Sequence, residues 1–400
     1  MSSTLRVSFT DIAFAGDAIA RRDGQVLFAP YAIPGEEAVV RVVKEKRDYL
    51  MGEVVEIVAP SPHRVEPPCP LFGRCSGCQW QHIAYPYQLE LKRRVVQEQL
   101  RRFGKFPDPP VAPTIGAEDP WHYRNHARFT VDAEGALCFV HRQSRELIPI
   151  PYCYIVHPRI NDMLAQLQGR PRGATQLNIR YGVNTGSFLI SPRLDLLKLP
   201  LPTGQPYYEE KLLGRTFRIA AASFFQVNTA QAEALVWKVI ERLAPTGDEV
   251  VIDAYAGVGT FGILMATYVK HVVAIEEAAP ALADAEVNAE GLGNITFIRG
   301  KTEQALWALG EPANALILDP PRSGCHRRAL EALLKLSPSK AIYVSCDPAT
   351  LARDLRILCE GRAAGPGGLG KNGGYRLLEV QPLDMFPHTY HIECVATLAR

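Results

Sequence analysis

No run of apolar residues in this chain approaches the roughly 20 needed to cross a bilayer as a helix, which excludes a helical membrane-spanning protein. The segment Met1 to Val7 lacks a basic stretch followed by a continuous apolar one, so no secretory signal is expected and the cytoplasm is the default compartment. Excess charge of one sign is also missing: 44 Lys and Arg against 42 Asp and Glu leave a net charge of +2, a total that neither demands nor excludes a nucleic-acid partner. Internal repeats are absent, and with them the solenoid folds. The 9 cysteines are an odd number in a chain with no export signal, which points to thiols, metal ligands or a nucleophile rather than to a disulfide framework. What is present, 47% hydrophobic and 22% charged residues over 400 positions, suits a globular protein of two or three domains.

From Leu5 to about residue 58, short alternating stretches such as 39–43 and 53–58 are separated by turns at Gly16, Gly24 and Pro34-Gly35. That spacing predicts a small β-barrel of OB type, on which Arg21, Arg22, Lys44, Lys46, Arg47 and Tyr49 form either a nucleic-acid-binding edge or a solvated rim. A proline-rich stretch at 60–70 ends the barrel, and a helix is expected from Tyr85 to about Phe103. Residues from Tyr123 to about Ile219 alternate as strands. Beyond Phe224 the pattern becomes strand, helix, strand, helix, with strands at 249–253, 271–276, 294–299, 315–319, 340–345 and 394–399, the texture of a doubly wound sheet. A glycine-rich stretch at 363–374 interrupts it and is expected to be mobile.

Within that sheet, Val250-Val251-Ile252-Asp253-Ala254-Tyr255-Ala256-Gly257-Val258-Gly259-Thr260 is a buried strand running into a glycine turn and a helix, the place where a nucleotide-like ligand binds. The third glycine of the dinucleotide fingerprint is missing, so the turn has no pyrophosphate to cradle; S-adenosylmethionine, which carries no phosphate, fits that pattern. Glu276 closes the next strand, where a carboxylate meets ribose hydroxyls, and Asp253 could stand near the ammonium or sulfonium charge. The bland alternative is a purely structural strand–turn–helix.

Two further strands end in chemistry. Leu316-Ile317-Leu318 leads to Asp319-Pro320-Pro321-Arg322, with Arg322 where amine methyltransferases often carry an aromatic residue. Ala341-Ile342-Tyr343-Val344 delivers Ser345-Cys346-Asp347-Pro348, a thiol at a strand end beside the ligand turn. Pyrimidine C5 is a poor nucleophile until a thiolate adds to C6, and a base must then remove the C5 proton, so the chemistry needs one thiol and one general base. Glu393, at the start of the last strand, can be that base. Cys325 is the rival nucleophile, and the bland reading of any lone cysteine is a small buried hydrophobe.

Taken together, Ser223-Phe224-Phe225-Gln226-Val227-Asn228, the Asp253–Gly259 turn, Asp319-Pro320-Pro321-Arg322-Ser323-Gly324, Ser345-Cys346-Asp347-Pro348 and the run Phe386–Glu393 resemble the RNA 5-methyluridine methyltransferases over nearly the whole chain. The branch most similar is the iron–sulfur-containing one that acts on 23S ribosomal RNA. The resemblance implies a multi-domain protein: a TRAM-type RNA-binding barrel over 1–59, a central mainly-β domain carrying a cluster over 60–222, and a Rossmann-like class I methyltransferase over 223–400, with helix 85–104 packed on the last. It further implies Cys346 as nucleophile and Glu393 as base, with Gln226, Tyr255, Thr260, Glu276 and Asp319 at the cofactor and base site. Lys301 stands where relatives carry Asp or Asn near the adenine, and is left out of the site.

Cys69, Cys75 and Cys78 have C-x5-C-x2-C spacing, and Cys153 could be a fourth ligand. Four thiolates suit a [4Fe–4S] cluster or zinc; three close cysteines plus a distant one are commoner for the cluster, and the resemblance agrees. A radical enzyme of the C-x3-C-x2-C class is excluded, since that spacing is absent. The expectation is therefore uracil C5 methylation in RNA, ribosomal first and transfer RNA second, by a monomer with no obligate protein partner. A non-catalytic RNA-binding protein is the alternative from another class.

Overall fold

The structure, a computed structural model, describes residues 4–22, 24–194, 201–309, 313–361 and 374–400. Except for Gly374, the glycine-rich stretch expected to be mobile lies outside the described residues.

Strands β1 (Thr4–Ile12), β2 (Ala18–Arg22), β3 (Gln25–Ala29), β4 (Glu37–Glu45) and β5 (Tyr49–Ala59) form a closed barrel in the order β1-β2-β3-β5-β4. Alternation turns Val7, Phe9, Ala18, Ala20, Leu27, Ala38 and Val40 inward, and the alanines leave room for so narrow a barrel to close. Gly52 is needed on β5, since a Cβ there would meet Val40 Cγ1 at 2.2 Å. The buried Glu36 carboxylate takes Arg64 Nε at 2.5 Å and the Ile33 amide at 2.9 Å, which moors the barrel to the proline-rich segment.

Helix α1 (Tyr85–Arg102) follows, then β6 (His126–Val131), β7 (Leu137–Val140), β8 (Leu147–Pro149), α2 (Pro158–Leu167), β9 (Gln176–Tyr181) and β10 (Phe188–Ser191), whose strands make one sheet in the order β10-β9-β6-β7-β8. The hairpin β11 (Tyr207–Leu212) and β12 (Arg215–Ala220) stands apart from that sheet, and its Tyr208, Leu212, Phe217 and Ile219 pack into the same core as the helix that follows it, α3 (Thr229–Leu243).

The remaining elements are β13 (Val250–Ala254), α4 (Thr260–Met265), β14 (His271–Glu276), α5 (Ala279–Asn288), β15 (Ile295–Arg299), α6 (Thr302–Ala308), β16 (Ala315–Leu318), α7 (Arg327–Leu336), β17 (Lys340–Ser345), α8 (Pro348–Glu360), β18 (Arg376–Leu383) and β19 (Glu393–Ala399). Their seven strands run β15-β14-β13-β16-β17-β19-β18, parallel except for β19. The chain order reverses between β13 and β16, so a crevice opens beyond their carboxyl ends. Six of these strands are legible in the sequence; β18 is the seventh, hidden by Pro382 and by the glycine-rich stretch before it.

Helix α1 lies against α8 and β18, with Leu91, Val95, Val96 and Leu100 in the core of the seven-stranded sheet. Its Lys92 is wholly buried, 2.5 Å from the equally buried Asp384 and 3.1 Å from the Phe386 carbonyl. Removing one partner strands a charge out of water, so Lys92→Met is expected to cost about 3–5 kcal/mol of unfolding free energy. Urea denaturation checks this, and the paired Lys92→Met/Asp384→Leu protein should regain most of the loss. A single variant as stable as the parent would show that the pair carries nothing.

Candidate active site

The carboxyl edge of the sheet collects the expected residues because of how each strand ends. Asp253 closes β13, and its Oδ2 accepts the Gly262 amide at 2.7 Å, which pins the first turn of α4. A Cβ on Gly262 would sit 2.9 Å from that same oxygen. Asp253 thus stands behind the ligand turn instead of on the cavity wall. The turn itself bends through three left-handed residues, Tyr255 at φ 70°, Gly257 at 57° and Gly259 at 86°, the first of them a conformation that costs a side-chain-bearing residue energy. Glu276 accepts the Gly257 amide at 2.8 Å through one oxygen and the Ala278 amide at 2.7 Å through the other. Its carboxylate is held rigid, with lone pairs left for a ligand's hydroxyls.

Cys346 sits in the turn between β17 and α8. Asp347 caps that helix by accepting the Ala349 and Thr350 amides at 3.0 and 2.9 Å, and Pro348 opens it, so the thiol is delivered at the positive end of α8. The antiparallel ladder pairs Ser345 with Cys394. Cys346 follows the one and Glu393 precedes the other, so thiol and carboxyl group lie on the next rung, facing across the ladder end. Neither sequence neighbourhood predicts this; the register does.

A cavity of about 570 Å³ joins these pieces. Gln226, Tyr255, Thr260, Glu276, Asp319, Cys346 and Glu393 all line it, so the seven residues implied by the resemblance share one cavity. Gln226 arrives from the far side of the fold, its segment held by Asn125, which donates to the Gln226 carbonyl at 3.1 Å and to Thr229 at 3.0 Å. Lys301 caps α6 at the surface. Cys325, the rival thiol, is buried in the core beneath α8, its amide bonded to Asp354 at 2.8 Å, and burial pushes its thiol up to about 12.

Burial sets the proton balance in the cavity. It pushes the Cys346 thiol up to about 11, helped by the charge of Glu393 and opposed by Arg322. Glu393, 4% exposed, is raised well above the usual carboxylate range by burial and by Asp319, again opposed by Arg322. Asp319 itself is pushed up to about 7 by burial and by Asp253 behind it. Arg322 is thus the cation set against both reacting groups, a position that the Asp-Pro-Pro-Arg motif does not reveal. A second residue missed in the sequence is Phe224, which lines the cavity yet is 71% exposed. An aromatic side chain left that open at a cavity mouth offers a face to a planar ligand.

The loop from Pro387 to Glu393 is gripped from outside the sheet. The His388 carbonyl accepts the Gln79 and Trp80 amides at 3.0 and 2.9 Å, its amide donates to Gln88 Oε1 at 3.0 Å, and Tyr123 donates to the Pro387 carbonyl at 3.1 Å. Residues next to Cys78 therefore hold the approach to Glu393.

The four cysteines expected to bind metal line one cavity of about 270 Å³. Among the described residues no group of three or more His, Cys, Asp or Glu is arranged to hold a metal ion, so the expected ligand set is not gathered as a closed site. The physical reason is spread: one buried and three partly buried cysteines share the wall of a space lined by many other side chains, and their sulfurs do not converge on one point. Burial raises Cys75, takes Cys153 up to about 11, and raises Cys78 further still. The Gly77 amide lies 3.4 Å from Cys75 Sγ, and the Ile155 and Val156 amides favour a Cys153 thiolate. Cysteine sulfur is a donor type that zinc and iron–sulfur clusters share.

Comparison with known proteins gives the family and the shared fold. The family model for tRNA (Uracil-5-)-methyltransferase matches residues 207–400, and that for the TRAM domain matches residues 2–55. An uncharacterized RNA methyltransferase of Halalkalibacterium halodurans is 35% identical over 99% of this chain and 97% of its own. Another from Gloeobacter violaceus is 38% identical over 99% and 96%. Among solved structures, the tRNA (uracil-54, C5)-methyltransferase of Pyrococcus abyssi, in complex with S-adenosyl-L-homocysteine, superposes with a TM-score of 0.76 over 99% of this chain and all of its own; at 24% identity it shows the shared fold.

Proposed function

The chain belongs to the tRNA (uracil-5-)-methyltransferase family, S-adenosylmethionine-dependent enzymes acting on RNA, and we propose that Cys346 and Glu393 carry out uracil C5 methylation here. The observation that carries the reading is the β17–β19 register, which sets a thiol and a buried carboxyl group face to face in the cavity that also holds the ligand turn. S-adenosylmethionine supplies an electrophilic methyl group. Cys346 Sγ, once deprotonated, adds to C6 and pushes the ring electrons toward C5 and the O4 enolate. After C5 has taken the methyl group, Glu393 removes the C5 proton; the C5–C6 double bond re-forms and the thiolate leaves. Phe224 stacks on the target base, which has to leave its own stack to reach the cavity. Glu276 holds ribose hydroxyls, and Gln226, Tyr255, Thr260 and Asp319 surround cofactor and base.

Arg322 favours the thiolate of Cys346 and the carboxylate of Glu393 together. Arg322→Leu is therefore expected to slow covalent adduct formation by roughly 10-fold, one pH unit's worth of thiolate, and to move its alkaline limb to higher pH. Stopped-flow or quench measurements across pH check this, and an unmoved limb would count against it.

Cys69, Cys75, Cys78 and Cys153 would hold a [4Fe–4S] cluster, whose part is structural because methyl transfer is redox-neutral. Iron and acid-labile sulfide in anaerobically purified protein, lost together in Cys78→Ser, test that assignment. Our first reading of the substrate is ribosomal RNA, supported by the resemblance to the iron–sulfur-containing branch; transfer RNA is the second reading, supported by the description of the matching family. Nucleoside mapping in a deletion strain separates them. A 5-methyluridine missing from 23S RNA supports the first, one missing from transfer RNA supports the second, and no missing 5-methyluridine overturns both.

A further inference from the structure

The N-terminal barrel meets the reaction site through core packing and not across a flexible joint. Ile12 at the end of β1 and Ile33 in the loop after β3 are buried in the same apolar cluster as Leu91 of α1, Leu318 of β16 and Ile392 beside Glu393, and Phe14 packs against that cluster. Domains that merely share a chain usually meet through more polar surfaces and move against each other.

One turn of the barrel reaches the loop before Glu393. Gly16, in the β1–β2 turn, is buried with φ 89°, and a Cβ on it would lie 2.9 Å from Tyr390 Cβ, 3.1 Å from Tyr390 Cδ1 and 3.2 Å from Trp80 Nε1. Its carbonyl accepts the Trp80 indole N–H at 3.1 Å. Trp80, 1% exposed, carries the contact onward: its amide donates to the His388 carbonyl at 2.9 Å, and its carbonyl accepts Gln88 Nε2 at 3.0 Å, the same side chain that takes the His388 amide at 3.0 Å. Asp17, next in the turn, accepts Arg142 at 2.8 Å, which ties the turn on a second side.

The loop across this contact is short and braced from within. Thr389 Oγ1 donates to the Phe386 carbonyl at 2.8 Å and accepts the His391 amide at 3.2 Å, and the Tyr390 ring lies 4.4 Å from that of His391. A push on Tyr390 therefore meets little slack before Glu393. Cys346 is held separately, by Asp347 and the first turn of α8.

We propose that the β1–β2 turn is a working part of the reaction site: Gly16 and Trp80 are positioning residues that hold Glu393 against the C5 proton, so the barrel sets the rate of the second half of the reaction in addition to any RNA contact it makes. The inference rests on the roles proposed above for Cys346 and Glu393. Its physical basis is the steep dependence of rate on placement, since a displacement of about 1 Å caused far from the chemistry can cost about 10²-fold. Thiol addition comes before the proton is removed and depends on α8.

The test uses the full-length protein with transcripts of 23S and transfer RNA, made with 5-fluorouridine or with ordinary uridine. Gly16→Ala presses a methyl group against Tyr390 and Trp80, and Trp80→Phe keeps a ring in the core while deleting the bond to Gly16. Both variants should form the 5-fluorouridine adduct at the parental rate and bind RNA with parental affinity. On ordinary uridine RNA both should release product about 10- to 100-fold more slowly and hold a larger share of the enzyme as methylated covalent complex at steady state. Trp80→Phe gives the same comparison should the alanine variant misfold. A role in folding alone would lower adduct formation and release in equal proportion, and a role in RNA binding alone would weaken affinity with kcat intact; either result, or parental release in both variants, overturns the inference. Absence of any adduct in the parent protein would overturn the catalytic reading itself, an outcome read on the parent before any variant is compared with it.

Discussion

Cys346→Ala protein is expected to form no covalent complex with 5-fluorouridine RNA and to lose methyl transfer by roughly 10⁴-fold or more, as removal of a covalent nucleophile does elsewhere. Fluorine at C5 cannot leave as a proton does, so the parent enzyme should be trapped after methyl transfer with its thioether to C6 intact. A denaturing gel reads this directly as a protein band shifted by the mass of the RNA. The acidity of the thiol adds a second signature. Burial raises Cys346 to about 11, so the thiolate is scarce at neutral pH and its fraction grows about tenfold for each unit of pH below that value. The rate of adduct formation should climb with pH accordingly, not fall. Full adduct formation by the alanine variant would falsify the assignment, and Cys325 could not replace it from its place in the core.

Glu393→Gln should fail later and differently. The thiol can still add and C5 can still be methylated, but the C5 proton has no acceptor and the thioether cannot be expelled. Ordinary uridine RNA should then accumulate as a methylated covalent complex, while turnover drops by about 10²–10⁴-fold. Burial and the neighbouring Asp319 raise Glu393 well above the usual carboxylate range. That makes it a stronger proton acceptor than a solvated glutamate, at the cost of a protonated resting form at lower pH. Turnover of the parent should therefore fall as pH drops through the raised value, whereas adduct formation by the glutamine variant should lack any limb due to this group. Release of methylated RNA by Glu393→Gln at the parental rate would assign the base elsewhere.

The two variants together separate the halves of the reaction, and the grip on the loop before Glu393 explains why both halves depend on distant segments. His388 holds a left-handed backbone at φ 64°, fastened by Gln88 and by the amides of Gln79 and Trp80. A residue in that conformation persists where its surroundings impose it, here from α1 and from the stretch beside Cys78.

Much of the protein is decided by local sequence. Alternation in the first segment, the glycine turn after β13, the Asp-Pro-Pro-Arg end of β16 and the Ser-Cys-Asp-Pro turn into α8 each follow from short-range rules of periodicity, turn chemistry and capping, which is why barrel, doubly wound sheet, thiol and acid can all be read before any coordinates. Tertiary structure decided what those rules cannot reach. It set Cys346 opposite Glu393 through the register of an antiparallel ladder, moved Asp253 behind the turn it seemed to face, made Arg322 the shared cation, left Phe224 open at the cavity mouth and set the barrel turn at Gly16 against the loop before Glu393. Each of these depends on which segments far apart in the chain pack together, and packing acts through distance and desolvation, neither of which a one-dimensional pattern carries.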